Sequence, residues 1–161
     1  MLDFLERGHA GLKKTLEAGA VLLPEGANTG RLYVLVDGAV EISRNGITFA
    51  TSADPGAIFG EMSVLLDLPH TATVKTTARS TVYEIEDAAA FMGSDPAIAL
   101  IVAKTLAQRL YSATTYLVDL KKQYSGQSNH LGMVSDVLAS LVFQKQSNFE
   151  PGSDREPDPQ M

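Results

Sequence analysis

The stretch Gly56–Thr76, GAIFGEMSVLLDLPHTATVKT, decides how the chain is read. A turn at Asp54-Pro55-Gly56 leads into a short apolar strand, a Gly60-Glu61 step, and MSVLLD, which is long enough for one to two turns of helix. Such a helix start turns the backbone N–H groups of Met62 and Ser63 outward beside Glu61, and it favours an anion. An anion repels a carboxylate, so Glu61 makes sense there as the acceptor for a hydroxyl of the same ligand. His70, after Pro69, adds a base, and Thr71 adds a hydroxyl. Together these parts suit a sugar phosphate. The plainer arrangement is a helix-bearing loop with Glu61 and His70 in solvent, and on residue types alone it is the commoner one.

On both sides of this stretch the chain reads as short strands. Turn signals recur at Glu25-Gly26, Asn28-Thr29-Gly30, Asp37-Gly38, Asn45-Gly46 and Asp54-Pro55-Gly56, and between and beyond them lie RLYVLV, AVEIS, ITFATS, ATVKTT and TVYEIE. That spacing predicts an antiparallel sandwich or barrel. Asp-Gly and Asn-Gly accept the positive φ of tight hairpin turns, and alternation in GAVEISRNG sets Val40 and Ile42 on one face and Glu41 and Ser43 on the other.

After Ile85 the period becomes helical. Asp87 is a cap for a short helix that ends near Gly93, and Asp95 with Pro96 starts a second helix running to about Tyr124, roughly 40 Å long. Val102, Leu106, Leu110, Ala113, Leu117, Leu120 and Tyr124 keep most of an a/d seam along it. A small barrel covers only part of such a length, so the expectation is a helix pair in a homodimer. Val134, Val137, Leu138, Leu141 and Val142 form one face of a further amphipathic segment. The polar end, QKQSNFEPGSDREPDPQM, is expected to be disordered. The domain expectation is a β-roll with its long helix over 1–124, a terminal amphipathic helix over 125–144 and an acidic tail over 145–161.

Composition narrows the function. The chain has 161 residues, 45% of them hydrophobic, which is the make-up of a domain with an ordinary core. It has no cysteine, so thiol catalysis, disulfides and thiolate metal sites are excluded. His9, His70 and His130 show no metal-ligand spacing. A net charge of −6 argues against a nucleic-acid partner. No apolar run approaches a membrane span and the start has no signal-peptide core, so the expectation is a cytoplasmic protein without a membrane partner. Ser63, Asp67 and His70 are the residue types of a hydrolytic triad, but they crowd onto one helical turn with no separate oxyanion site, so no enzyme is expected.

The segment FGEMSVLLDLPHTATV resembles the phosphate-binding cassette of the cyclic nucleotide-binding domain family, which runs Phe-Gly-Glu, small and apolar residues, then Pro-Arg-small-Ala-Thr-Val. LEAGAVLLPEGANTGRLYVLVDGAVEIS is similar to the first half of that family's β-roll. IVAKTLAQRLYSATTYLVDL is similar to the dimerising helix of its catabolite activator branch. The resemblance implies a mainly β fold with flanking helices: an antiparallel, jelly-roll-like β-roll followed by a long dimerisation helix. LGMVSDVLASLVFQ resembles the family's linker helix, and the expectation is that no winged helix-turn-helix follows it.

Carried over residue by residue, the resemblance implies a site made of Phe59, Gly60, Glu61, Met62, Ser63, His70, Thr71, Ala72, Val74, Tyr111 and Thr114. Glu61 would hold the ribose 2′-hydroxyl, and the backbone of Gly60 and Met62 would line the sugar-phosphate pocket. Thr71 would meet the phosphate, Val74 would help enclose the base, and Tyr111 and Thr114 would approach the purine from the long helix. His70 stands where the family has arginine. A guanidinium is always charged and grips phosphate with two parallel N–H bonds, whereas imidazole offers one donor and is charged only near or below pH ~6.5. The expectation is a non-enzymatic sensor of cAMP or cGMP, with no cofactor, acting through a homodimer on a protein partner. The alternative is a fold that has lost its ligand and serves as a constitutive dimerisation module.

Overall fold

A computed structural model describes residues 1–8 and 11–123, with isolated helical positions at Met133, Val134, Val137 and Ala139. His9, His130, the tail from 145 and most of the expected segment 125–144 lie outside the described residues. The chain divides into two compact units, Met1–Leu106 and Ala107–Met161. The division falls inside the long helix.

Among the described residues, eight strands build the sheets of the first unit: β1 (Leu12–Leu16), β2 (Val21–Leu23), β3 (Leu32–Asp37), β4 (Val40–Arg44), β5 (Ile47–Ser52), β6 (Ile58–Phe59), β7 (Thr73–Thr76) and β8 (Ser80–Ile85). They form two four-stranded sheets, ordered β1-β8-β3-β6 and β2-β7-β4-β5, and every pairing is antiparallel. This is the mainly β roll with flanking helices that the sequence predicts.

The first sheet is covered on both faces. Along β3, Leu32 and Val34 join Ile58, Tyr83 and Ile85 in a core with the helices, while Tyr33 and Leu35 turn the other way to meet Leu22, Leu23, Val40 and Val74 of the second sheet. Double coverage explains why RLYVLV is an unbroken apolar run instead of an alternating one. The second sheet has one covered face, and there the expected alternation holds. Val40 and Ile42 pack into the core between the sheets, and Glu41 on the outer face pairs with Lys75 at 2.7 Å.

Three helices close the helical side: α1 (Leu2–Gly8), α3 (Ala88–Ser94) and the start of α4 (Pro96–Gln123). They contribute Leu5, Phe91, Met92, Ile98 and Val102 to the core. The caps read from the sequence are in place. The Asp87 carboxylate accepts from Ala90 N–H at 2.9 Å, and that of Asp95 from Ala97 N–H at 2.7 Å. The helix α1 was not expected from the sequence. In the second unit, α4 carries Leu110, Tyr111 and Tyr116 exposed. No single helix among the described residues is long and apolar enough to cross a membrane.

Candidate functional site

The opening stretch folds as β6, then α2 (Glu61–Leu66), then a loop into β7. Gly60 is the hinge of this arrangement. Its φ is 100° and ψ −8°, a left-handed conformation, and a Cβ at this position would run into the Arg31 carbonyl oxygen. Only glycine meets both demands, so the strand can turn into the helix with its backbone pressed against the start of β3. The turn leaves Phe59 in the core between the sheets and carries Glu61 into a buried place, 2% exposed.

His70 is equally buried, at 4% exposed, and its imidazole bridges two elements. Nδ1 lies 2.9 Å from Ser63 Oγ on α2, and Nε2 lies 2.8 Å from Thr29 Oγ1 in the turn between β2 and β3. The Ser63 hydroxyl donates to the Gly60 carbonyl at 3.0 Å, which uses its single proton, so it accepts from Nδ1–H. Nε2 then accepts from the Thr29 hydroxyl, and Thr29 Oγ1 accepts from the Arg31 N–H at 3.2 Å. Every donor and acceptor is used once with a neutral ring. Burial holds the His70 pKa below its ordinary value and keeps the ring in that form.

The backbone repeats the connection. Gly26 N–H donates to the His70 carbonyl and His70 N–H to the Ala27 carbonyl, each at 2.8 Å, and Glu25 N–H donates to Thr73 Oγ1 at 3.0 Å. The exit of the cassette is therefore stitched to the β2–β3 turn.

The structure gathers the cassette candidates unevenly. Ser63 and His70 touch; Thr71 and Met62 are exposed, Ala72 is half-buried, and Val74 lies in the core between the sheets. Tyr111 and Thr114 lie on α4 in the second unit, the first exposed and the second half-buried. Thr29 was missed from the sequence, because 41 residues separate it from His70 and no local signal marks the pair.

A cavity of about 430 Å³ lies beside α2, lined by Asn28, Gly30, Ser63, Asp67, Glu86 and Asp87 among others. Its three carboxylates make it hostile to phosphate. It shares Ser63 with the cassette but includes neither Glu61 nor Thr71, so it is distinct from the sugar-phosphate pocket implied by the resemblance.

A family model described as the cyclic nucleotide-binding domain matches residues 13–107. The chain belongs to the cyclic nucleotide-binding domain family. A cyclic nucleotide-gated potassium channel of Mesorhizobium japonicum is 31% identical over 104 residues, covering 63% of this chain and 28% of the channel. A cAMP-dependent protein kinase regulatory subunit of Yarrowia lipolytica is 27% identical over 74 residues, 46% of this chain and 20% of that one. The chain thus spans under a third of either relative's length. Among solved structures, the catabolite activator protein of Thermus thermophilus superposes with a TM-score of 0.54 at 24% identity, covering 81% of this chain and 71% of that one. At that identity the likeness speaks for the fold.

Proposed function

We propose that this chain is a non-enzymatic regulatory module that takes a cyclic nucleotide, cAMP or cGMP, at the cassette and passes the ligand state through paired α4 helices to a protein partner. The observation that carries the reading is the Gly60–Glu61 hinge. A left-handed glycine jammed against the Arg31 carbonyl carries the Glu61 carboxylate into a buried position at the start of α2, within the Phe-Gly-Glu step of the stretch that matches the cyclic nucleotide-binding domain. Glu61 is assigned to the ribose 2′-hydroxyl, the backbone of Gly60 and Met62 to the sugar phosphate, Thr71 to the phosphate, and Tyr111 and Thr114 to the purine. Glu61 is nearly inaccessible in the state described, so the ligand selects a state in which α2 has moved, and it biases the equilibrium only by its differential affinity. The exposed Leu110 and Tyr116 on α4 supply apolar surface for the helix pair.

One observation favours a second reading, a fold that serves dimerisation without ligand. Both ring nitrogens of His70, at the family's arginine position, are already engaged inside the protein. Calorimetric titration with cAMP and cGMP separates the two. Binding that Glu61→Ala weakens at least about tenfold supports the sensor, whereas heats indistinguishable from dilution with both nucleotides support the constitutive module. Sedimentation equilibrium tests the dimer separately: a monomeric mass at high micromolar concentration removes α4 pairing from both readings.

A further inference from the structure

We propose that Arg44, at the end of β4, supplies the cation that the cassette itself lacks, so that the sheet meets the charge of a bound nucleotide's phosphate while the cassette gives it neutral backbone and hydroxyl donors. The proposal rests on the cyclic nucleotide reading above and deepens it. The stretch Gly56–Val74 contains no lysine or arginine, and its single base, His70, is neutral, buried and committed to Thr29 and Ser63. A phosphodiester held there has backbone and hydroxyl donors but no compensating charge.

The register of β4 against β7 brings a cation to that spot. Glu41 pairs with Lys75, Ile42 with Val74 and Ser43 with Thr73, where the ladder ends; Arg44 is the next residue along β4, and Ala72 and Thr71 are the residues that lead into β7 at that end. Alternation decides the face. Val40 and Ile42 pack inward with Val74, while Glu41 and Lys75 form their ion pair outside. Arg44 has the parity of Val40 and Ile42, so it continues the inner face past the point where the apolar core ends. Lys75, on the same ladder, is on the outer face and paired with Glu41, and Arg31, whose backbone meets Gly60, has its guanidinium 4.0 Å from Glu86.

Two further features fix Arg44 there. Asn45, with φ 51°, and Gly46, with φ 76°, form a tight turn directly after it. The Asn45 N–H donates to Glu25 Oε2 at 2.9 Å, pinning the hairpin tip to the same β2–β3 turn that is stitched to His70. Glu25 is the acidic group at this corner, and its carboxylate serves the Asn45 amide. Arg44 is exposed and forms no ion pair among the described residues. An exposed, unpaired guanidinium at this end of the ladder offers two parallel donors to a phosphate.

The test is nitrogen-15 NMR titration of the full chain and its variants with cAMP, cGMP, adenosine and inorganic pyrophosphate. Arg44→Gln should weaken the cyclic nucleotide about 10- to 100-fold while leaving adenosine unchanged. Arg44→Lys should fall between, and Lys75→Gln should match the wild type. Cyclic nucleotide affinity unchanged in Arg44→Gln overturns the assignment and leaves the sensor reading intact. If the wild type takes no cyclic nucleotide, the sensor reading fails. Pyrophosphate shifts at Thr71 and Ala72 that vanish in Arg44→Gln then uphold Arg44 as the anion-binding cation, and their absence removes both.

Discussion

Where β1, β3 and β8 meet, the roll buries a charged triad, whereas at the cassette it buries an uncharged one. In the first, the Glu84 carboxylate accepts from Lys14 Nζ at 2.9 Å and from the Tyr33 hydroxyl at 2.8 Å. In the second, a neutral imidazole sits between two hydroxyls. Both satisfy their polar atoms, and among the described residues no buried side-chain nitrogen or oxygen lacks a partner. They differ in how far protons are from disturbing them. Burial alone would raise the Glu84 pKa, but the hydrogen bonds from Lys14 and Tyr33, helped by the Lys14 and Arg31 charges, bring it below its ordinary value. Burial and then the bond to Glu84 push Tyr33 up to about 12. The charged cluster is therefore settled across the physiological range, while the neutral one borders on it.

The largest expected effect comes from breaking the charged cluster. Glu84→Ala leaves a buried tyrosine hydroxyl without its acceptor and Lys14 without its counter-ion. Urea unfolding should show a loss of about 3 kcal/mol, below the upper range for buried pairs because the lysine is partly exposed. A loss under about 1 kcal/mol would equate this triad with a surface ion pair.

His70→Ala should cost less, about 2 kcal/mol, because it takes one hydrogen bond from each of two hydroxyls and strands no charge. His70→Arg sharpens the contrast. The guanidinium cannot stay neutral in the nest between Thr29 and Ser63, so the variant should melt below wild type even if it gains an anion contact. A thermal melt at or above wild type would mean the nest is not what holds the cassette exit.

The smallest effect is one of pH, and it separates the clusters most cleanly. A buried neutral histidine with a lowered pKa takes up fewer protons folded than unfolded, so its stabilisation is complete above pH ~6.5 and is lost as the pH falls below it. Glu84 has a lowered carboxyl pKa, so its stabilisation persists to lower pH and is lost only as the pH falls below the ordinary carboxyl value of 4.5. Between about pH 7.5 and about pH 5, wild type should lose stability relative to His70→Gln, with a slope no steeper than one proton. Parallel curves for the two proteins would place the His70 titration elsewhere.

Much of the roll was legible because local chemistry and global fold agree. The Asn45-Gly46 turn, the alternation at Val40 and Ile42, and the caps at Asp87 and Asp95 each act within a few residues. The helix α1 was not, since LDFLERG is too short to show a period and gains its place from Leu5 entering the core. The site was legible as a motif but not as a geometry. Nothing near His70 in sequence announces Thr29, and nothing near Gly60 announces the Arg31 carbonyl. Arg44 likewise carries no local signal of its own, because its meaning comes from the ladder between β4 and β7.

The strand order of the first sheet also sets how the molecule is made. β8 lies between β1 and β3, and the Lys14–Glu84 contact spans 70 residues. A nascent chain that has delivered everything up to Arg79 holds three strands of this sheet with β1 still unpaired, and Leu32, Val34 and Ile58 wait for Tyr83 and Ile85. Assembly of this sheet is thus deferred until β8 leaves the ribosome and closes a long loop, which makes folding slow for its size and leaves the apolar faces of β3 and β6 exposed until that closure.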